Sequence, residues 1–195
     1  MYDVIGYGGT RAFRLLWMME EMDLPYRHHR VMPFSEAAQA ASPGGRLPAL
    51  GLPDGTILLD STAILTFLAD RHQGLTAMPG TVERARQDAA IFRVLEEIDA
   101  PMMRWTLVRQ GFAPMPADAV RDWILDRLSR GLDGAAQALG DQPWLAGDSF
   151  TIADIVLGHC LHWAERFHEP IRHPRLVEYM AQIDRRPAYR LADSG

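Results

Sequence analysis

The patterns that favour β-strands are confined to the first 60 residues of this chain, and this restricts its fold more than any other feature. Short runs that predict strands lie at residues 2–6, 26–31, 47–50 and 56–59. From Glu83 onward no such run recurs, and the apolar residues follow helical spacing instead. The sequence therefore predicts a small α/β layer followed by an all-helical region.

The first part of the chain contains the turns and helices that such a layer needs. GYGGT (6–10) is a glycine-rich turn, and the apolar spacing after it predicts a helix over about 10–22. Residues 33–45 are alanine-rich and predict a short helix or loop, while Pro-Asp-Gly at 53–55 predicts a hairpin. A last helix runs to about Arg71, so the predicted order is β-α-β-(loop)-β-β-α.

The second part is predicted to be helical throughout. Residues 74–80 contain several helix breakers and are expected to form a linker. We therefore expect one domain at 1–76 and a second at 82–195. The helical periodicity extends over 82–110, 117–138, 151–167 and 174–184.

Charge and composition exclude several classes of function. The net charge of −5 gives no electrostatic reason to expect nucleic acid or an anionic membrane surface as a partner. No apolar run approaches the roughly 18–20 residues of a spanning helix, so no membrane association is expected. The single cysteine, Cys160, excludes an internal disulfide framework and favours a cytoplasmic location.

The segment GDSFTIADI (147–155) has the pattern of a helix start. Thr151 can cap the helix, and Asp154 can reach back to it, as in a capping box. Phe150 and Ile155 stand at the positions of a hydrophobic staple. We assign this segment to folding.

The pair Asp60-Ser61 has two interpretations that the residues alone leave open. Aspartate and serine are favoured helix N-caps, because their side-chain oxygens accept unpaired backbone N–H groups. The same N–H groups, together with the helix dipole, also bind carboxylates and phosphates. The pair is therefore either a plain cap or a receptor for a charged ligand.

Two further clusters are chemically suggestive. His159 and His162 lie one helical turn apart around Cys160, but no third ligand stands at a supporting spacing, so we expect no metal. Residues 100–112 are rich in methionine and aromatic side chains. They form either ordinary core or the wall of an apolar pocket for a second substrate.

Four stretches of the chain resemble cytosolic glutathione transferases. The resemblance covers essentially the whole chain. It implies a thioredoxin-like α/β N-terminal domain that binds glutathione, followed by an all-α helical-bundle C-terminal domain. The stretches are TRAFRLLWMMEEMDLPY (10–26), SPGGRLPAL (42–50), DGTILLDSTAILTFLA (54–69) and WLAGDSFTIADI (144–155).

The resemblance implies a glutathione site. Pro48 occupies the place of the family's cis-proline, and the backbone of Leu47 is expected to pair with the cysteinyl backbone of glutathione. Arg46 stands where relatives often carry a basic residue near the glycyl end. Asp60 and Ser61 match the acidic-serine pair that holds the γ-glutamyl group, which favours the receptor interpretation.

The resemblance also implies a group that activates the glutathione sulfur near the first strand–helix junction. GYGGTRAF contains no cysteine, which is contrary to the cysteine-dependent classes. Many bacterial relatives have a serine at the place of Thr10, so Thr10 is the first candidate for the hydroxyl donor, and its other interpretation is a helix cap. Tyr7 is the alternative donor, and Arg11 adds positive charge.

The function implied is attack of the glutathione thiolate on a small hydrophobic electrophile, or reduction of an organic hydroperoxide. Glutathione is then a co-substrate, and no metal is needed. A homodimer is implied, joined between the N-terminal layer of one copy and helices near 83–105 of the other. The alternative is a non-catalytic docking module of the same fold. The missing CxxC disfavours a thiol-disulfide reductase.

Overall fold

The computed structural model describes residues 1–166 and 171–194. Its contacts define two compact units, of which the first is Met1–Thr76 together with Gln182–Gly195 and the second is Ala77–Ala181. The first unit contains the sheet and the second is helical, as the sequence predicted.

The first unit follows the predicted order of elements. Its four-stranded sheet has the order β2-β1-β3-β4, in which β1 and β2 are parallel and the other neighbouring pairs are antiparallel. The elements are β1 (Tyr2–Ile5), α1 (Ala12–Glu21), β2 (Tyr26–His29), α2 (Glu36–Ala41), a 3₁₀ turn (Pro43–Gly45), β3 (Ala49–Gly51), β4 (Ile57–Leu59) and α3 (Ser61–His72).

Helix α1 is the centre of the first unit. All residues from Ala12 to Met19 are buried, so the helix is covered on every side and not along one stripe only. A helix that is apolar all round belongs inside a core, and this one contacts β1, α3 and the C-terminal helix α9 (Pro187–Ser194). Arg14 is the polar exception in this buried run.

Helix α9 packs against α1, and the sequence did not predict it. The Tyr189 ring centroid lies 4.9 Å from that of Trp17, in an edge-to-face arrangement. Arg186 donates two hydrogen bonds of 2.6 Å to the Glu21 carboxylate. The expected domains were 1–76 and 82–195. In the structure, residues 182–195 belong to the first compact unit instead of the second.

The second unit contains the predicted helices. The long helical stretch predicted over 82–110 is continuous but has a π-helical turn in its middle. The sequence predicted that the helix over 151–167 ends at Phe167, and this residue lies outside the described residues. The elements are α4 (Val82–Val94), the π turn (Leu95–Asp99), α5 (Ala100–Arg109), α6 (Asp118–Leu139), α7 (Ile152–Arg166) and α8 (Pro174–Ile183).

The π turn has a local cause in the sequence. Pro101 has no backbone N–H, so it cannot donate to the Glu97 carbonyl as an α-helix would require. The Glu97 carbonyl instead faces α6 at Gly131, where an added Cβ would stand 2.4 Å from that oxygen. A glycine at 131 therefore lets α6 approach the widened turn.

Asp154 is the main polar anchor of the second unit. Its carboxylate accepts hydrogen bonds from the backbone N–H of Thr151 at 2.8 Å, the N–H of Leu145 at 2.7 Å and the hydroxyl of Tyr179 at 2.8 Å. Thr151 Oγ1 accepts from Ala153 N at 3.2 Å, so the predicted capping box is confirmed. Burial raises the pKa of the Asp154 carboxyl, although its hydrogen bonds act in the opposite direction.

The hydrophobic staple predicted beside this box stays a prediction. The Phe150 ring packs edge-to-face on Trp144, with the ring centroids 4.9 Å apart. This aromatic pair lies on the chain just before α7.

We expect Asp154→Ala to lower the free energy of unfolding by about 3 kcal/mol, because it leaves several buried donors unpaired. Urea denaturation followed by circular dichroism measures this change. Asp148→Ala is the matched control, since Asp148 is an exposed carboxylate of the same segment. A loss of less than about 1 kcal/mol for Asp154→Ala would show that the box is not an anchor.

Candidate functional site

Three segments of the first unit meet at one edge of its sheet. Ile5 pairs with Ala49, and Ala49 pairs with Leu59, so β1 ends, β3 begins and β4 ends in the same row. Neighbouring strands lie about 4.8 Å apart, so the segments that extend beyond this row are close neighbours. These segments are 6–9, 46–48 and 60–61.

Gly6 allows two of these segments to approach closely. A Cβ built on Gly6 would stand 2.6 Å from the Ala12 Cβ, which is too close for any real side chain. The same position is 3.7 Å from Leu47 Cβ and 3.7 Å from Pro48 Cα. The turn after β1 therefore lies directly against the segment before β3.

The segment before β3 offers an unpaired backbone. The Leu47–Pro48 peptide bond is cis, as expected. Leu47 is half-buried, and within residues 1–166 and 171–194 its N–H and carbonyl have no hydrogen-bond partner. Arg46, directly before it, is exposed. A peptide-like ligand could use this free backbone edge.

Asp60 caps helix α3. Its Oδ1 accepts hydrogen bonds from Thr62 N at 2.9 Å and Ala63 N at 3.0 Å, so the cap interpretation is confirmed. Its Oδ2 bonds to no other residue that the structure describes, and the side chain is exposed. The backbone φ of +68° is costly for a residue other than glycine. Capping thus leaves one carboxylate oxygen for a ligand.

Ser61 presents donors at the first turn of α3. The residue is buried, and its Oγ accepts a hydrogen bond from Arg14 Nη1 at 3.2 Å. Its hydroxyl hydrogen and its backbone N–H have no acceptor within the described part of the chain. The next residue, Thr62, has a buried Oγ1 that likewise lacks a hydrogen-bond partner there. Unpaired donors at a helix N-terminus suit a carboxylate.

Thr10 uses its hydroxyl within the protein. Thr10 Oγ1 donates to the Tyr7 carbonyl at 2.7 Å and accepts from Ala12 N at 3.2 Å. This bond from the first residue of α1 agrees with a capping role for Thr10, although the N-cap position itself is Arg11, which makes no side-chain cap bond. Because a threonine hydroxyl has one hydrogen, it would have to rotate away from the Tyr7 carbonyl to donate to a ligand.

Tyr7 precedes Thr10 by three residues in the chain, and Arg11 follows it directly. The Tyr7 ring lies against Gly9, where an added Cβ would stand 2.6 Å from the ring carbon Cε1. Tyr7 is 43% exposed, and its hydroxyl bonds to no residue among those described. Arg11 is half-buried directly before α1. The phenol is therefore available to a ligand without rearrangement.

Sequence reasoning missed Arg14, which contacts Ser61. It lies in the run AFRLLWMM, where every neighbour is apolar. An arginine inside an otherwise buried helical run is a signal that was available, because such a charge requires a polar partner.

The other clusters named in the sequence lie in the second unit. The ring centroids of His159 and Trp163 lie 5.4 Å apart, and His162 Nδ1 is 2.8 Å from the Gly158 carbonyl oxygen. Over residues 1–166 and 171–194, no three histidine, cysteine or acidic side chains are grouped so that they could hold a metal. In α5, Met102 and Trp105 are buried, as core packing requires.

None of the helices in the described ranges combines the length and apolarity needed to span a membrane.

The fold defines a two-part protein with a thioredoxin-like sheet layer and a helical bundle. Residues 10–71 match the family model of the glutathione S-transferase N-terminal domain, and residues 81–182 match that of the C-terminal domain. The chain belongs to the glutathione S-transferase family.

The chain is also similar to individual proteins of known name or structure. Maleylacetoacetate isomerase of Pseudomonas aeruginosa is 32% identical over 159 residues, which are 78% of this chain and 73% of that protein. A probable elongation factor 1-gamma 2 of Arabidopsis thaliana is 35% identical over 59% of this chain, but the match spans only 28% of that protein. The crystal structure of a glutathione S-transferase from Methylobacterium radiotolerans, in complex with glutathione sulfonate, has a TM-score of 0.85. It is 23% identical and covers 98% of this chain and 93% of its own.

Proposed function

We propose that this protein is a glutathione transferase that binds glutathione at the sheet edge formed by residues 6–9, 46–48 and 60–61. The observation that carries the proposal is the set of unpaired groups at this edge, namely the Ser61 donors and the Leu47 backbone. The glutathione sulfonate in the similar Methylobacterium structure supports the choice of ligand.

The γ-glutamyl end of glutathione carries an ammonium and a carboxylate, and the first turn of α3 has a group for each. Asp60 Oδ2 would bind the ammonium, since Oδ1 is used by the cap. The Ser61 N–H and hydroxyl would donate to the carboxylate, and the helix dipole would add to this attraction. Capping and ligand binding are thus compatible roles for the pair.

The rest of the tripeptide would follow the sheet edge. The free N–H and carbonyl of Leu47 would pair with the cysteinyl backbone, as a strand pairs with an added strand. The exposed guanidinium of Arg46 would bind the glycyl carboxylate.

The glutathione thiol must become a thiolate before it can attack. We propose Tyr7 as the donor that stabilises the thiolate, with Thr10 as the alternative, because the Thr10 hydroxyl is already engaged. Arg11 would add positive charge beside the sulfur. A hydroxyl-type mechanism, as in serine-type bacterial relatives, is favoured over a cysteine-type one because residues 6–14 contain no cysteine.

The reaction would join the glutathione sulfur to an electrophilic carbon of a small hydrophobic molecule and displace its leaving group. Reduction of an organic hydroperoxide is a related outcome of the same thiolate. The similarity to maleylacetoacetate isomerase also favours glutathione-dependent isomerisation, in which the thiolate adds, a bond rotates and the thiolate leaves again.

A docking module without catalysis is the alternative function. The relative named as an elongation factor supports it, although the match spans only 28% of that protein. Glutathione affinity separates the two functions, since a docking module does not need to bind glutathione.

We also infer that the chain forms a homodimer and functions in the cytoplasm. Each unit exposes apolar side chains of the kind that interfaces cover: Ile57 and Leu59 on β4, and Val82 and Phe92 on α4. Light scattering at micromolar concentration should give about twice the chain mass of 21.9 kDa. A mass equal to one chain would contradict the dimer.

Ser61→Ala should weaken glutathione binding by about 1–3 kcal/mol, because the ligand carboxylate loses a hydrogen bond at a desolvated position. Isothermal titration calorimetry measures the dissociation constant. Thr81→Ala is the matched control, since Thr81 caps α4 through a 3.2 Å bond from Arg84 N and lies outside the site. Unchanged affinity in Ser61→Ala would show that Ser61 is not a ligand group.

Tyr7→Phe should raise the pKa of bound glutathione by about one unit, equivalent to about 1.4 kcal/mol of lost thiolate stabilisation. The ultraviolet absorbance of the bound thiolate, recorded against pH, reports this ionisation. Thr10→Ala should lower the melting temperature through loss of a cap worth about 1 kcal/mol, while Thr10→Ser retains the hydroxyl.

If the pKa of the bound thiol rises in Thr10→Ala and not in Tyr7→Phe, Thr10 and not Tyr7 is the donor to the thiolate. If neither variant changes it, backbone N–H groups or Arg11 stabilise the thiolate instead.

A further inference from the structure

We infer that Arg14 is a positioning residue for the γ-glutamyl carboxylate, acting through the Ser61 hydroxyl. This inference rests on the glutathione site proposed above. It assigns a function to a buried charge in the middle of α1.

Arg14 determines how the Ser61 hydroxyl is used. A guanidinium has only donors, so the contact of 3.2 Å between Arg14 Nη1 and Ser61 Oγ makes the serine oxygen the acceptor. The serine hydrogen must then lie in another direction. No described residue accepts it, although Ser61 is only 3% exposed. The hydroxyl is thereby held as a donor for a group that arrives from outside the protein.

The location of the charge strengthens this effect. Arg14 has no exposed surface, and it contacts the residue that opens α3, where the helix dipole is already positive. In a buried setting, a donor that is polarised by a neighbouring cation makes a stronger hydrogen bond to an anion. The unpartnered Thr62 Oγ1 in the same turn adds a second buried polar group there.

Arg14 also has interactions besides the one with Ser61, so its loss will affect stability as well. The test must therefore separate a role through Ser61 from general support of the fold. A double-mutant cycle does this, because a purely structural effect is the same whether Ser61 is present or absent.

The experiment measures glutathione dissociation constants by calorimetry for the wild type, Arg14→Met, Ser61→Ala and the double variant. We expect Arg14→Met to weaken binding about tenfold when Ser61 is present, and less than about threefold in the Ser61→Ala background. The effect of Arg14→Met that remains in the Ser61→Ala background is due to the direct attraction between the Arg14 guanidinium and the γ-glutamyl carboxylate of glutathione. Arg14→Lys, which retains the charge, should recover part of the affinity, and it replaces Arg14→Met if that variant does not fold.

A second ligand tests the group that is recognised. The tripeptide 4-aminobutyryl-cysteinyl-glycine lacks the α-carboxylate of the γ-glutamyl residue, so its affinity should change less than about twofold in Arg14→Met. Arg186→Met is the matched control, because Arg186 forms an ion pair with Glu21 in the same unit and should show no coupling to Ser61.

Two different outcomes would contradict the proposed function and the positioning role of Arg14. If the wild type does not bind glutathione, the proposed function is wrong. If the wild type binds but Arg14→Met has the same effect in both Ser61 backgrounds, only the positioning role is wrong.

Discussion

The register of three strands is the constraint on which the rest of the site depends. The row Ile5–Ala49–Leu59 places two strand ends and one strand start at a single edge of the sheet. Every group proposed to hold glutathione lies on a segment that leaves this row. A slip of one residue in either pairing would turn the buried side chains to the other face, so the core fixes the site geometry.

The buried helix α1 couples this edge to the interior. Its first residues follow the turn that contains Tyr7 and Thr10, and its middle supplies Arg14 to Ser61. Helix α9 covers α1 through Tyr189 and holds its far end through the ion pair between Arg186 and Glu21. Helix α1 thus packs against the sheet and also supplies the Arg14 guanidinium to the candidate site.

Much of the fold could be predicted from the sequence because its signals are local. The hairpin follows from Pro-Asp-Gly, and the start of α7 follows from Thr151 and Asp154, which lie three residues apart. Helix α9 was missed because it is short, and its packing partner α1 lies more than 160 residues away in the sequence. Propensity alone does not specify such a helix.

The site shows the same division between local and distant information. The resemblance indicated Leu47, Asp60 and Ser61, and the structure places them at one edge. The resemblance could not indicate that Thr10 donates a hydrogen bond to the Tyr7 carbonyl, because the direction of a hydroxyl depends on turn geometry. The contact between Arg14 and Ser61 joins positions 47 residues apart, so only the folded chain shows it.

A crystal structure of the protein with glutathione tests the proposed binding site most directly. We expect the γ-glutamyl carboxylate on the Ser61 N–H and hydroxyl, the ammonium on Asp60 Oδ2 and the cysteinyl backbone paired with Leu47. Glutathione bound elsewhere, or no glutathione in crystals soaked at saturating concentration, would contradict it.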